Sequence, residues 1–147
     1  MLLFNPSAYD AAHYDEPTCR ALLAVRRFFE AKGPAVLKAE SHDAAWYDDF
    51  LEMIAREGIF ARFGTPAAVG TLVGGAGETT ARWDTARNND LGQLLAWYSL
   101  EHWYAWQVTV LGLGPVWTSA NGEAKRLVGE LLAQGLHSFP SGVCTPG

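Results

Sequence analysis

The sequence predicts an all-α fold, and three observations lead to that class. Apolar residues recur at helical spacing along most of the chain, for example Trp46, Phe50, Met53 and Ile54 at i, i+4, i+7 and i+8. Cap and stop residues separate these stretches. An aromatic-rich apolar stretch near the middle is long enough for a buried helical hairpin. We expect about five helices within residues 15–135, an irregular segment at 1–14 and an irregular tail at 136–147.

Length and composition indicate one ordered domain. Of the 147 residues, 49% are hydrophobic and 18% are charged, which suffices to bury a core. A net charge of −5 argues against a nucleic-acid-binding module, which would carry a basic stripe. No signal peptide is recognisable, and no apolar stretch is long enough to span a membrane. Cys19 and Cys144 lack metal-ligand spacing, which favours a free, buried Cys19 in a reducing cytoplasm.

Residues 15–40 predict two helices. Asp15 is an N-cap, and Pro17 lies in the first turn of the helix that follows. Gly33 ends this helix, and Pro34 opens a short second helix that runs to residue 40.

Residues 41–80 predict a third helix followed by a loop. Ser41 or Asp43 is its N-cap, and Gly58 ends it. Phe60–Thr80 is rich in glycine, which predicts a loop.

Residues 84–118 predict one long helical stretch that begins at the N-cap Asp84. Its middle, from Leu94 to Trp106, is apolar on most sides, which predicts burial nearly all round. Pro115, with two glycines before it, is expected to kink or divide the helix. The segment Val108–Leu111 is equally compatible with a strand.

A final helix starts again at Asn121-Gly122. Its spacing predicts a buried face, and Gly135 is a plausible residue to follow its end. The predicted buried residues of this face are Leu127, Val128, Leu131 and Leu132.

Two glycine-rich segments resemble nucleotide-binding motifs only superficially. Gly112-x-Gly114-x-x-Trp117 has tryptophan in place of the third glycine, and no acidic residue follows at about 20 positions, as a dinucleotide fingerprint requires. The segment Gly74–Thr80 lacks the lysine of a phosphate-binding loop. We interpret this second segment as part of a loop.

The titratable residues also favour structural roles. Asp48 and Glu52 share a helix face, where carboxylates can hold a metal, but Glu52 is also placed for a surface ion pair with Arg56. No Glu-x-x-His pair of a di-iron bundle is present. His102 lies inside the aromatic stretch and is expected to be a hydrogen-bonded core histidine.

Five segments carry a resemblance to the FAD-dependent acyl-CoA dehydrogenases, over about residues 15–135 and to their N-terminal helical domain only. These segments are RFFEAKG (27–33), WYDDFL (46–51), RWDTAR (82–87), WYAWQVTVLGLGPVW (103–117) and EAKR (123–126). The family has three domains, and its FAD binds between a middle β-domain and a C-terminal four-helix domain. In the family reaction a glutamate removes the α-proton of the acyl-CoA and the flavin N5 takes the β-hydride.

The resemblance implies acyl-CoA as ligand and FAD as cofactor, but no residue here corresponds to the catalytic base or to a main flavin contact. The helix that matches Trp103–Leu111 lines the distal acyl pocket in the family. The residues implied for substrate contact are Trp103, Tyr104, Gln107, Val108 and Leu111.

From Leu136 onward the β-strand sequence of the family is replaced by an unrelated sequence, which is typical of a truncated or frameshifted product. We expect the chain to be inactive alone and to need the β-domain and C-terminal helical domain, or a chain encoded downstream. Three alternatives are a half of a split dehydrogenase, a helical bundle that binds acyl chains, and a non-enzymatic interaction module. The exposed apolar surface such a module would use could also form a homo-oligomer.

Overall fold

The computed structural model describes residues 8–43, 46–66 and 85–133, and all regular structure in these ranges is helical. The all-α prediction is therefore confirmed, and the strand alternative at Val108–Leu111 is wrong. The described helices are α1 (Glu16–Glu40), α2 (Asp48–Arg56), α3 (Ile59–Phe63), α4 (Thr85–Tyr98), α5 (Leu100–Thr118) and α6 (Gly122–Ala133).

Helix α1 begins and bends where the sequence predicts. The Asp15 carboxylate accepts a hydrogen bond from the Thr18 backbone N–H at 3.0 Å, which caps the helix. Gly33 takes φ 71° and ψ 164°, which is not helical, so Pro34 starts a second helical segment after the kink. The two predicted helices are thus two segments of one bent element.

Helix α2 starts later than predicted, at Asp48 rather than after Ser41 or Asp43. The Ser41 hydroxyl instead donates to the Lys38 carbonyl oxygen at 2.9 Å, at the end of α1. Trp46 therefore precedes the helix. Helix α2 ends at Arg56, and Gly58, with φ 66°, separates it from the next helix.

The predicted loop from Phe60 is wrong in its first part, because Ile59–Phe63 forms the short helix α3. The physical reason is burial: Ile59, Phe60 and Phe63 are at most 2% exposed, and one helical turn brings all three onto the core. The expected N-cap at Asp84, the Gly74–Thr80 segment and the expected helix end at Gly135 lie outside the described residues.

The long helical stretch is divided at Ser99, not at Pro115. Ser99 has extended backbone angles (φ −157°, ψ 121°), and its side chain accepts from the His102 N–H, which makes it the N-cap of α5. Pro115 lies within α5. Pro115 has no N–H to donate to the Leu111 carbonyl oxygen, and Leu111 is 64% exposed.

Helix α6 begins at the predicted cap, where Asn121 Oδ1 accepts from the Ala124 N–H at 3.0 Å. Its predicted buried face is half wrong. Leu132 is 5% exposed, but Leu127 is 51% and Leu131 is 39% exposed. The buried residues of α6 are Gly129 and Leu132, and Gly129 lies near the Trp117 indole.

One core joins these helices. Helix α4 packs on α1 and α5, α2 packs on α1 and α3, and α6 packs on α3 and α5. Ala11 and the half-buried Tyr9 and Tyr14 add the segment before α1 to the core. The Tyr14 hydroxyl donates to Asp90 Oδ2 of α4 at 2.9 Å. In the described ranges, no helix combines the length and apolar character that crossing a bilayer requires.

Candidate functional site

A groove of about 490 Å³ runs between α4 and α5. Its residues recur every three or four positions on each helix, so each helix contributes one face. The α4 wall contains Asn88, Asn89, Gly92, Gln93 and Ala96, and the α5 wall contains Leu100, Trp103, Trp106, Gln107 and Val110.

Gly92 and Trp106 determine the shape of the groove. A Cβ atom at Gly92 would lie 3.6 Å from the Trp103 indole nitrogen, so the absence of a side chain there leaves the indole close to the α4 backbone. Trp106 is 3% exposed and packs on Phe60 with ring centroids 5.9 Å apart. It therefore connects the groove to the hydrophobic core.

The groove is uncharged. Its polar side chains are the amides of Asn88, Asn89, Gln93 and Gln107, and its other side chains are apolar apart from the indole N–H groups of the two tryptophans. Asn88 is fixed to α3, because its Nδ2 donates to the Phe63 carbonyl oxygen at 2.8 Å. Such a surface can bind an apolar ligand and offer it a few hydrogen bonds. None of the lining side chains titrates near neutral pH, so the groove itself provides no general acid or base.

The structure separates the five predicted contact residues into two groups. Trp103 and Gln107 are half-buried and line the groove. Tyr104, Val108 and Leu111 face solvent, with 64%, 48% and 64% of their surface exposed. The expected burial of Leu94–Trp106 nearly all round is wrong, because Trp97, Leu100 and Tyr104 in that stretch are 41%, 65% and 64% exposed.

Tyr104, Val108 and Leu111 form the apolar stripe of α5 together with Leu100, which is 65% exposed. Their spacing of four, four and three positions places them on one helix face. None of the described residues covers that face. The stripe borders the groove, since Leu100 belongs to both.

The α4 wall was not predicted from the sequence. Leu91, Leu94 and Leu95 mark the buried face of α4, and none of them is measurably exposed. The small and amide residues at 89, 92, 93 and 96 recur at helical spacing on another side. That second periodicity is the signal from which the wall could have been found.

His102 is a buried titratable residue of α5, and its predicted core role is confirmed. It is 3% exposed, and its Nδ1 lies 2.7 Å from the Ser99 hydroxyl. Burial, followed by the charge of Lys32, lowers the pKa of His102 to about 4. At neutral pH the imidazole is therefore uncharged.

The carboxylates of α2 do not form a metal site. Asp48 and Glu52 are exposed, and Asp49 pairs with Lys32 of α1 at 2.7 Å. Arg56 pairs with Glu57 at 3.3 Å instead of with Glu52, which corrects the predicted ion pair. Within residues 8–43, 46–66 and 85–133, no group of three or more His, Cys, Asp or Glu side chains could hold a metal ion. Cys19 is free but only half-buried.

The groove does not fit FAD. A flavin dinucleotide carries a pyrophosphate, which proteins bind with cationic side chains or with helix N-terminal N–H groups. The lining contains no lysine or arginine. At the N-terminus of α5 the groove is lined by the apolar side chain of Leu100. Any flavin would therefore have to be held mainly by residues outside this groove.

Comparison with known proteins gives no match: no family model, curated protein or solved structure matches this chain. The function therefore has to be inferred from the groove, the apolar stripe and the sequence resemblance.

Proposed function

We propose that this chain is the N-terminal helical domain of an acyl-CoA dehydrogenase-type flavoenzyme and forms one wall of its acyl-CoA site. The observation that supports this most directly is the position of Trp103 and Gln107. The resemblance implies that both line an acyl pocket, and both lie in the uncharged groove between α4 and α5.

The chemistry of the groove suits the acyl part of such a ligand. An alkyl chain gains about 0.8 kcal/mol for each methylene that leaves water, and the α5 wall is largely apolar. The amides of Gln93 and Gln107 offer hydrogen bonds without a charge. The phosphates of coenzyme A would remain outside the groove, because the lining has no cation to bind them.

The redox step requires groups that this groove does not contain. In the proposed enzyme FAD accepts the hydride, and both the flavin and the carboxylate base belong to a β-domain and a C-terminal helical domain. The apolar stripe of α5 is the surface we assign to contact with those domains or with a separately encoded chain that carries them. We place this enzyme in the cytoplasm, where Cys19 would stay reduced.

The proposal is tested by calorimetric titration of the purified chain with octanoyl-CoA and with free coenzyme A. We expect octanoyl-CoA to bind at least tenfold more tightly, because only its acyl chain enters the groove. Trp103→Ala should change the affinity for octanoyl-CoA at least threefold and leave that for coenzyme A unaltered. Tyr47→Ala is the matched control, since Tyr47 is a partly exposed aromatic residue outside the groove.

Equal affinity for the two compounds, or no binding of octanoyl-CoA up to its solubility limit, would contradict the proposed acyl site. A parallel titration with FAD tests the domain assignment. We expect FAD to bind only when the chain encoded downstream is added, and tight binding by this chain alone would show that the assignment is wrong.

A second candidate function is favoured by the apolar stripe itself. Four large apolar side chains on one helix face are 48–65% exposed, and contiguous apolar surface of this kind marks an interaction site. In that case the chain is a non-enzymatic interaction module. It would bind protein through Leu100, Tyr104, Val108 and Leu111, and octanoyl-CoA would bind no better than coenzyme A.

A further inference from the structure

His102 connects three elements of the fold. It lies in the first turn of α5, and its ring is in near-perpendicular contact with aromatic rings of α1, of α2 and of the segment before α2. The centroid distances are 5.1 Å to Phe29, 4.7 Å to Trp46 and 4.8 Å to Phe50. The contact between the N-terminus of α5 and the α1–α2 pair therefore centres on one imidazole.

The hydrogen bonds around the imidazole define its tautomer. The Ser99 hydroxyl donates its single hydrogen to Glu101 Oε2 at 2.9 Å. The close contact of 2.7 Å between His102 Nδ1 and Ser99 Oγ must then use a hydrogen on Nδ1. This leaves Nε2 as the unprotonated nitrogen. Nε2 is buried, and no described residue forms a hydrogen bond with it.

Protonation of Nε2 would place a charge where few groups can stabilise it. From α1, Lys32 brings a positive charge and Glu40 a negative one, and α2 contributes Asp49. Both carboxylates are already paired with the Lys32 ammonium, at 2.7 Å for Asp49. On α5 itself, Glu101 is exposed and engaged by Ser99. The aromatic rings offer no hydrogen-bond acceptor of comparable strength.

We propose that His102 is an acid-released latch that holds the start of α5 against α1 and α2 while its imidazole is neutral and releases it on protonation. This inference does not depend on the proposed function. The latch can be opened because Nε2 gains a hydrogen-bond partner, water, only when the aromatic contact separates.

The direction of the pH effect follows from the two states. Unfolded, histidine titrates near 6.5, whereas burial and then Lys32 lower the pKa of His102 in the fold to about 4. The unfolded state therefore binds more protons between these values. The stabilisation from the neutral imidazole is fully present only well above pH 6.5, and the equilibrium constant for release rises roughly 80-fold as the pH falls from 6.5 to 4.

The test follows the His102 ring resonances by NMR as the pH is lowered, together with urea unfolding at each pH. We expect the pKa of His102 to lie near 4, well below the ordinary histidine value of about 6.5. Lys32→Met should raise the pKa of His102, because it removes the positive charge that helps to lower it. The change in the His102 pKa in this variant distinguishes a titrating latch from a contact with only a structural role.

His102→Phe keeps a ring in the aromatic contact but cannot be protonated. Its unfolding constant should lack the roughly 80-fold dependence that His102 adds between pH 6.5 and 4, whereas His42→Phe should retain it. A His102 pKa at or above 6.5, or equal pH dependence in both variants, would overturn the latch. If His102→Phe does not fold, the ring titrations of the wild-type and Lys32→Met chains decide between these outcomes.

Discussion

Gly64 lies between α3 and α5 without room for a side chain. A Cβ atom there would be 2.6 Å from the Phe60 carbonyl oxygen and 3.2 Å from Leu113 Cδ1. The Gly64 carbonyl oxygen also accepts a hydrogen bond from Trp117 Nε1 at 2.8 Å, and this bond is buried. The glycine thus allows the end of α3 and the indole of α5 to meet.

We predict that Gly64→Ala lowers the free energy of unfolding by about 2 kcal/mol or more. The new methyl group must displace backbone atoms, and the buried hydrogen bond from Trp117 is strained or lost as a result. Gly112→Ala is the matched control. Nothing lies within 4 Å of a Cβ atom at Gly112, so this substitution should stabilise α5 by about 0.5–1 kcal/mol. Urea denaturation measures both effects. A similar change in the free energy of unfolding of the two variants would show that the short distance from Gly64 to the Phe60 carbonyl oxygen does not matter for stability.

The apolar stripe makes α5 the element that interacts most readily with other surfaces. Tyr104 and Leu111 are each 64% exposed, so the fold gains little from burying them. In contact with another surface, each could contribute about 1.5 kcal/mol or more. The stripe therefore affects association far more than folding.

We predict that the chain self-associates at high micromolar concentration and that Tyr104→Ser combined with Leu111→Ser raises the dissociation constant at least tenfold. The free energy of unfolding should change by no more than about 0.5 kcal/mol for each substitution. Sedimentation velocity over a concentration series measures the association. Val36→Ser combined with Tyr47→Ser is the control, because these residues are also partly exposed but lie on α1 and just before α2.

A wild-type chain that sediments as a monomer throughout this concentration range would contradict the prediction. Equal weakening in the control variant would show instead that general surface hydrophobicity drives association. The stripe would then have no specific role.

Local signals in the sequence predicted the starts of α1 and α6 but not the division between α4 and α5. Asp15 and Asn121 act as caps through short-range hydrogen bonds, so their residue type suffices to identify them. Ser99 caps α5 equally well, but it lies inside a continuous apolar run that hides the signal. The spacing of apolar residues favoured one long helix there, because it does not reveal where the backbone leaves the helical conformation.

The candidate site was predicted only in part, because burial depends on which helices meet. Trp103 and Gln107 lie on one face of α5, and Tyr104 and Val108 lie on the next. The sequence gives no reason to expect one of these faces to be more buried than the other. Only the packing of α4 against α5 distinguishes them, by placing Gly92 beside Trp103. The same reason explains Leu127 and Leu131, which have an apolar pattern but no described neighbour to bury them.

At the scale of the whole molecule, one hydrophobic core receives side chains from every described helix. Its members include Leu22 of α1, Phe50 of α2, Phe60 of α3, Leu91 of α4, Trp106 of α5 and Leu132 of α6. Long-range hydrogen bonds connect the same elements, as between Asn88 of α4 and the α3 carbonyl of Phe63. The two halves of the described chain, on either side of residues 67–84, therefore depend on each other for burial.

We predict that the chain unfolds in a single cooperative transition at neutral pH, because no helix retains a core of its own when the others separate. Far-UV circular dichroism, which follows all helices, and tryptophan fluorescence, which follows mainly α5, should give the same urea midpoint. Leu132→Ala should shift both midpoints together, since truncating a buried leucine costs about 2–5 kcal/mol and the lost contacts belong to the shared core. Leu127→Ala, on the exposed side of the same helix, should shift neither by much. If Leu132→Ala moved the circular dichroism transition and left the fluorescence transition in place, α6 would unfold independently and the core would not be one unit.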